Sequence, residues 1–293
     1  MNPNRLFLGL SHSPLMGLNP VDPAVEAELQ GAIARARELV RAFDPERVLL
    51  VAPDHYNGFF NEVMPPFCLG TQARSVGDYL TPPGELNVDA DGAVALADRL
   101  MDAGFDLAVS RRMVVDHGFA QPLQLLWGGL DTPPVMPLFL NAVAAPGIPR
   151  LPRCRALGQA IGRALAGDPR RILLLGSGGL SHEPPVPTLA DPDPSVRERI
   201  TARQNPTPAE REAKTRRVMS AGMALASGNG AIKALNPAWD AEWMDGLSGG
   251  VAALDRLCAQ GEDAIAQTAV TRLQAARKAR ARPAPSDGRQ GRR

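Results

Sequence analysis

Five short apolar runs constrain the fold most: residues 5–10 (RLFLGL), 47–52 (RVLLVA), 106–110 (DLAVS), 135–140 (VMPLFL) and 171–175 (RILLL). Each has the length and composition of a strand. Between them lie helix candidates at 24–43, 93–103 and 155–166. Strands alternating with helices predict an α/β chain forming a single domain. Its central sheet should be largely parallel or mixed and flanked by helices, with the active site at the C-terminal ends of the strands. Segment 207–228 opens with Thr207, Pro208 and Glu210 and closes on Gly228, so it reads as a capped helix, and 241–260 reads as another. The Pro/Gly-rich stretch 64–84 and the Pro/Asp-rich stretch 183–195 read as loops long enough to form a lid or rim. No repeat with a period of 20–50 residues is visible.

Several function classes drop out. No apolar run reaches the roughly 18 residues that suggest a membrane-spanning helix. The N-terminus leads straight into the first strand candidate without a signal-peptide core. Cys68, Cys154 and Cys258 are widely spaced, which predicts free thiols in a reducing, cytoplasmic setting. The net charge of +1 hides an asymmetry: residues 272–293 carry eight Lys/Arg against one acidic residue, leaving −6 on residues 1–271. A nucleic-acid partner would therefore rest on the tail alone, and none is expected. That Arg/Ala/Pro/Gly-rich tail lacks aromatic residues and reads as disordered.

The four histidines carry the functional signal. His12 follows RLFLGLS, His55 follows RVLLVAPD, His182 follows RILLLGSGGLS, and His117 comes seven residues after DLAVS. A single loop histidine is commonly a surface or hydrogen-bonded residue. Four at strand ends point instead to one shared site, because connecting loops gather at that edge of an open α/β sheet.

Neutral imidazole suits Fe, Zn, Cu or Ni, and two histidines plus one carboxylate form the non-haem Fe(II) oxygenase pattern. Two further histidines then serve as acid and base. No paired cysteines with zinc spacing are present. GSGGLSH (176–182) lacks the Lys-Ser/Thr of a phosphate loop and the GxGxxG spacing, so its glycines read as points of close backbone approach. Ser11, Ser13, Ser177 and Ser181 lie near histidines, but no GxSxG nucleophile elbow is present. Asp54 and Asp116 precede two of the histidines and are candidates to orient imidazoles, with capping as the plainer alternative. Tyr56 and Asn57 are candidate substrate contacts.

LSHSPLMG (10–17), APDHYNGFFNEVMPPFCLG (52–70), VDHGFAQPL (115–123), LGSGGLSHEPPVP (175–187) and LNPAWDAEWM (235–244) closely resemble the class III extradiol dioxygenases. The resemblance runs from about residue 5 to residue 266. It implies Fe(2+) held by His12 and His55, with His117 as proton donor and His182 as proton acceptor. It also implies a homo-oligomer, a tetramer or larger. The implied reaction is O2-dependent cleavage of a catechol beside its hydroxyls in aromatic catabolism, on 3-(2,3-dihydroxyphenyl)propionate and 2,3-dihydroxycinnamate. The competing readings are a metal-dependent hydrolase on the same scaffold and a homologue that binds or assembles without turnover.

The sequence departs from the family near its C-terminus. The expected third iron ligand is a glutamate in a His-Glu pair, but Thr271 and Arg272 occupy those positions. A permanently protonated arginine cannot ligate iron. Val-Thr-Arg encoded GTC ACG AGG, preceded by G and read one nucleotide earlier, gives Gly-His-Glu. The hypothesis is therefore a catalytic domain over 1–268 and an out-of-frame tail over 269–293, and confirmation of the present reading frame by resequencing would sink it. Glu262 or Asp263 is the alternative ligand, although neither lies in that register.

Overall fold

The computed structural model describes residues 3–181, 186–202, 206–228, 235–250, and 252, 253, 255, 256 and 258. His182, Glu262, Asp263, Thr271, Arg272 and the tail 269–293 lie outside the described residues. In chain order the strands are β1 (Arg5–Ser11), β2 (Arg47–Ala52), β3 (Phe67–Gly70), β4 (Ala73–Ser75), β5 (Gly84–Glu85), β6 (Ala108–Ser110), β7 (Met113–Val115), β8 (Val135–Leu140) and β9 (Ile172–Gly178). The helices are α1 (Pro23–Phe43), α2 (Ala90–Asp102), α3 (His117–Trp127), α4 (Leu151–Leu165), α5 (Pro194–Thr201), α6 (Pro208–Ala226) and α7 (Pro237–Ser248).

RVLLVA becomes β2, deep in a six-stranded sheet ordered β1-β9-β2-β8-β3-β6. The β1/β9, β2/β9, β2/β8 and β3/β6 pairs are parallel, and β3/β8 is antiparallel, so the sheet is mixed. Alternate β2 side chains serve opposite faces, as strand geometry requires. Val48, Leu50 and Ala52 pack in one cluster with Phe119 and Leu123 of α3. Leu49 packs in the other with Leu96 and Leu100 of α2 and Leu157 and Ile161 of α4. Helices thus cover both faces of one core, the α/β arrangement that the alternating sequence pattern predicts.

Two expectations need correction. The stretch 64–84 is not simply loop: it contains β3 and β4 and the first residue of β5. Their partners are distant, with Cys68 opposite Phe139 and Ala73 opposite Met113. Pairing therefore overrides local Pro/Gly composition. His117 follows β7 rather than the strand at 106–110, and it is the first residue of α3 rather than a loop residue. β7 belongs to a separate three-stranded sheet ordered β5-β4-β7. Asp116 caps α3 by accepting from the Gly118 N–H, so the helix begins at the histidine itself.

Close backbone approach fixes this junction. A Cβ on Gly58 would lie 1.7 Å from the Val114 carbonyl oxygen, and one on Gly118 would lie 2.6 Å from the Pro53 carbonyl oxygen. Glycine at both positions lets the loop after β2 close against β7 and the start of α3.

Candidate active site

Parallel pairing of β1, β9 and β2 aligns their C-terminal ends, which brings His12 beside His55, and α3 adds His117 from across the edge. The His55 and His117 rings stack with centroids 4.6 Å apart. His12 meets them edge-on at 5.3 and 5.4 Å. One ring nitrogen from each of the three lies within 4.8 Å of the others.

Their hydrogen bonds define which nitrogen faces the site. His55 Nδ1 lies 3.1 Å from Asp116 Oδ2, and His117 Nδ1 lies 2.8 Å from Asp78 Oδ2. Both acceptors are carboxylates, so each Nδ1 carries the proton. His12 Nδ1 lies 2.8 Å from Ser177 Oγ, whose own proton goes to the Gly118 carbonyl at 2.6 Å. Ser177 must then accept from His12 Nδ1–H. In each ring Nδ1 is thus committed to a protein acceptor, which makes Nε2 the nitrogen suited to ligation or proton transfer. Fixing ring orientation through the opposite nitrogen is how proteins prepare histidines for a metal.

The trio fits a transition metal of the kind imidazole favours. Asp78 and Asp116 group with His117, but their oxygens are already occupied. Asp116 Oδ2 accepts from the His55 backbone N–H at 2.8 Å and from Asn57 Nδ2 at 2.9 Å, as well as from the His55 ring. Its Oδ1 accepts from Gly118. Asp78 Oδ1 accepts from the His117 backbone N–H at 2.8 Å.

Burial acts to raise the Asp116 carboxyl and to lower the His117 imidazole, yet charge wins at both. His55 and His117 hold Asp116 well below the ordinary carboxylate range, and Asp116 and Asp78 raise His117. Asp54 moves the other way, pushed up by burial and by the Asp116 charge. Its carboxylate meets no imidazole of a described residue and instead accepts from the backbone N–H groups of Asn57, Gly58 and Phe59, shaping the loop that carries His55. Asn57 is buried and donates to Asp116. Tyr56 lines a second, outer chamber, which touches His55 alone of the three imidazoles.

That inner chamber, of about 420 Å³, is lined by His12, His55, His117, Tyr79, Leu180 and Lys214, among others. Tyr79 presents an edge to His117 at 4.9 Å, and Lys214 Nζ donates to the His55 carbonyl at 3.1 Å. Asp78, Tyr79, Ser177 and Lys214 were not among the residues assigned site roles from sequence. Asp78 sits in the stretch read as loop, in a turn where Tyr79 (φ 46°) and Leu80 (φ 64°) are both left-handed. Such consecutive strain is a structural signal of a shaped site, invisible in sequence.

Residues 6–272 match the family described as the catalytic LigB subunit of aromatic ring-opening dioxygenase. The chain belongs to this family of extradiol ring-cleaving dioxygenases. It is 62% identical over 262 residues to the 2,3-dihydroxyphenylpropionate/2,3-dihydroxicinnamic acid 1,2-dioxygenase of Comamonas testosteroni, covering 89% of this chain and 81% of that one. The protein of the same description from Rhodococcus sp is 49% identical over 241 residues (82% of this chain, 76% of the relative). That of Escherichia coli O139:H28 is 51% identical over 261 residues (88% and 82%). No helix among the described residues is long and apolar enough to cross a membrane.

Proposed function

We propose that this chain opens the ring of 3-(2,3-dihydroxyphenyl)propionate and of 2,3-dihydroxycinnamate with O2, using Fe(II) held by His12 and His55. The observation that carries this reading is the imidazole cluster, in which each Nδ1 is held by an acceptor and one ring nitrogen from each histidine lies within 4.8 Å of the others. The names of the relatives support the substrate assignment. Iron held there would bring the catechol and O2 together and conduct electrons between them.

The protein's own groups handle orientation and protons. Asp116 and Ser177 lock the His55 and His12 rings. His117, backed by Asp78, supplies a proton from Nε2 to the opening ring. His182 takes the proton that the catechol loses on binding. The LGSGGLSH motif and its place one residue after Ser181, which lines the chamber, support that role. Leu180, Val186 and Pro187 line the inner chamber too, which limits water around a reactive ring.

The test is to add Fe(II) and 3-(2,3-dihydroxyphenyl)propionate without O2, then admit ¹⁸O2. A yellow ring-fission product carrying two labelled oxygens is expected. No product from folded, iron-retaining protein would sink the reading. His12→Ala is expected to abolish both iron retention and turnover, whereas His182→Ala should keep the iron and lose turnover.

We also propose a cytoplasmic homo-oligomer. Cys68 is a free thiol, and Met223, Leu235, Met244 and Leu247 are exposed on or beside α6 and α7. A monomer by light scattering at micromolar concentration would refute the oligomer.

A further inference from the structure

A catechol carrying a propionate brings a carboxylate into an otherwise largely apolar chamber. Burying that charge without a partner is costly, so the protein must meet it with a cation or with N–H donors. Among the described residues lining the inner chamber, Lys214 is the one lysine or arginine. The acidic residue there, Asp240, is already engaged: its two oxygens accept from the Ser181 backbone N–H and hydroxyl, each at 2.8 Å.

Lys214 is held in place by a neutral carbonyl, and the buried Asp116 feels its charge without pairing with it. Its ammonium donates to the His55 carbonyl at 3.1 Å, and no carboxylate of a described residue lies within ion-pair distance. An ammonium has three N–H donors, so this contact leaves two for a ligand. The lysine also stands at a boundary. It lines both the inner chamber and an outer one of about 540 Å³, which share His55, Val186, Pro187 and Val218 as well. Arg217, one turn further along α6, lines only the outer chamber.

We propose that Lys214 Nζ receives the carboxylate of the substrate's side chain, making α6 the element that selects acidic catechols over neutral ones. The inference rests on the ring-opening function proposed above. With the catechol oxygens fixed among the imidazoles at one end and the carboxylate on Lys214 at the other, the ring has a single orientation in its plane. A lysine serving only to hold the His55 carbonyl would affect acidic and neutral catechols alike, which separates the two roles.

The experiment compares the iron-loaded full chain with its Lys214→Met and Lys214→Arg variants on two substrates, 3-(2,3-dihydroxyphenyl)propionate and its neutral isostere 3-propylcatechol. Lys214→Met should raise KM for the acid about 30-fold, with kcat within about threefold, as loss of a charge-assisted hydrogen bond predicts. Its loss in kcat/KM on 3-propylcatechol should be about tenfold smaller than its loss on the acid, and Lys214→Arg should restore most of the affinity for the acid. Equal losses on both substrates, or no loss on the acid, would overturn the proposal.

A calorimetric arm measures binding of 3-(2-hydroxyphenyl)propionate and 2-propylphenol to the same proteins. A preference for the acid that disappears in Lys214→Met supports the site even where neither catechol is opened, a result that would reject the ring-opening function alone. Absence of that preference in the wild type rejects the carboxylate site.

Discussion

Asp116 is where cap, metal site and loop meet, since one buried carboxylate receives N–H groups from His55, Asn57 and Gly118. Asp116→Asn keeps a capping oxygen for α3 but turns an amide N–H₂ toward donors on His55 or Asn57. Affinity for the proposed iron should fall about 10–100-fold while far-UV circular dichroism stays native, read by competition with a chelator. Unchanged affinity would remove Asp116 from the metal's support. Gly58 makes the opposite kind of demand. Its missing Cβ is filled by the Val114 carbonyl, so Gly58→Ala forces backbone apart and should cost about 1–3 kcal/mol or more in urea unfolding. Cys68 makes no chemical demand, because burial pushes its thiol up to about 12 and leaves it unreactive.

Among the elements, α6 is the most exposed to test. It has no buried residue, yet it carries Lys214 to the chamber. Three contacts fasten it: Lys214 to His55, Asn19 Nδ2 to the Met219 carbonyl at 3.1 Å, and Gly222 against Leu15. A Cβ on Gly222 would lie 2.4 Å from Leu15 Cδ1. Gly222→Val should therefore push Leu15 aside in the chamber it lines and lower kcat/KM on the order of tenfold, with little change in the core's unfolding transition. Steady-state kinetics beside thermal denaturation checks this, and wild-type kinetics would mean that α6 docks elsewhere.

The Thr207–Glu210 capping box was visible in sequence because both partners lie within one turn. By contrast β4, β5 and β7 span only two or three residues, and partners elsewhere define them. α3 hid behind a His-Gly start and Pro122, which disguise a helix whose apolar residues face the core.

At the scale of the molecule, charge at the far edge of the sheet supplements the core. Arg47, nearly buried at the start of β2, pairs with Asp89 and with Asp168. Asp168 is also gripped by Arg170, whose hydrogen bond holds its carboxyl down to about 2. A carboxyl depressed on folding stabilises the native state above its unfolded value of about 3.9. That contribution is lost as pH falls from there through about 2. Asp168→Asn should thus lower Tm at pH 7 and lose its effect near pH 2, with a contribution under about 1 kcal/mol because solvent screens the pair. A pH-independent difference would mean that packing is responsible.

Sequence by itself determined the layered α/β fold, since strand and helix periodicities are local and every strand of the main sheet except β3 falls on one of the five apolar runs. It also placed His12 and His55 at strand ends, because in a parallel sheet the chain's direction dictates which edge those residues reach. Only the tertiary structure decided what surrounds them. Asp78, Ser177 and Lys214 lie 39, 165 and 159 residues from the histidines they hold, and hydrogen bonds across such separations leave no periodic trace in a single chain.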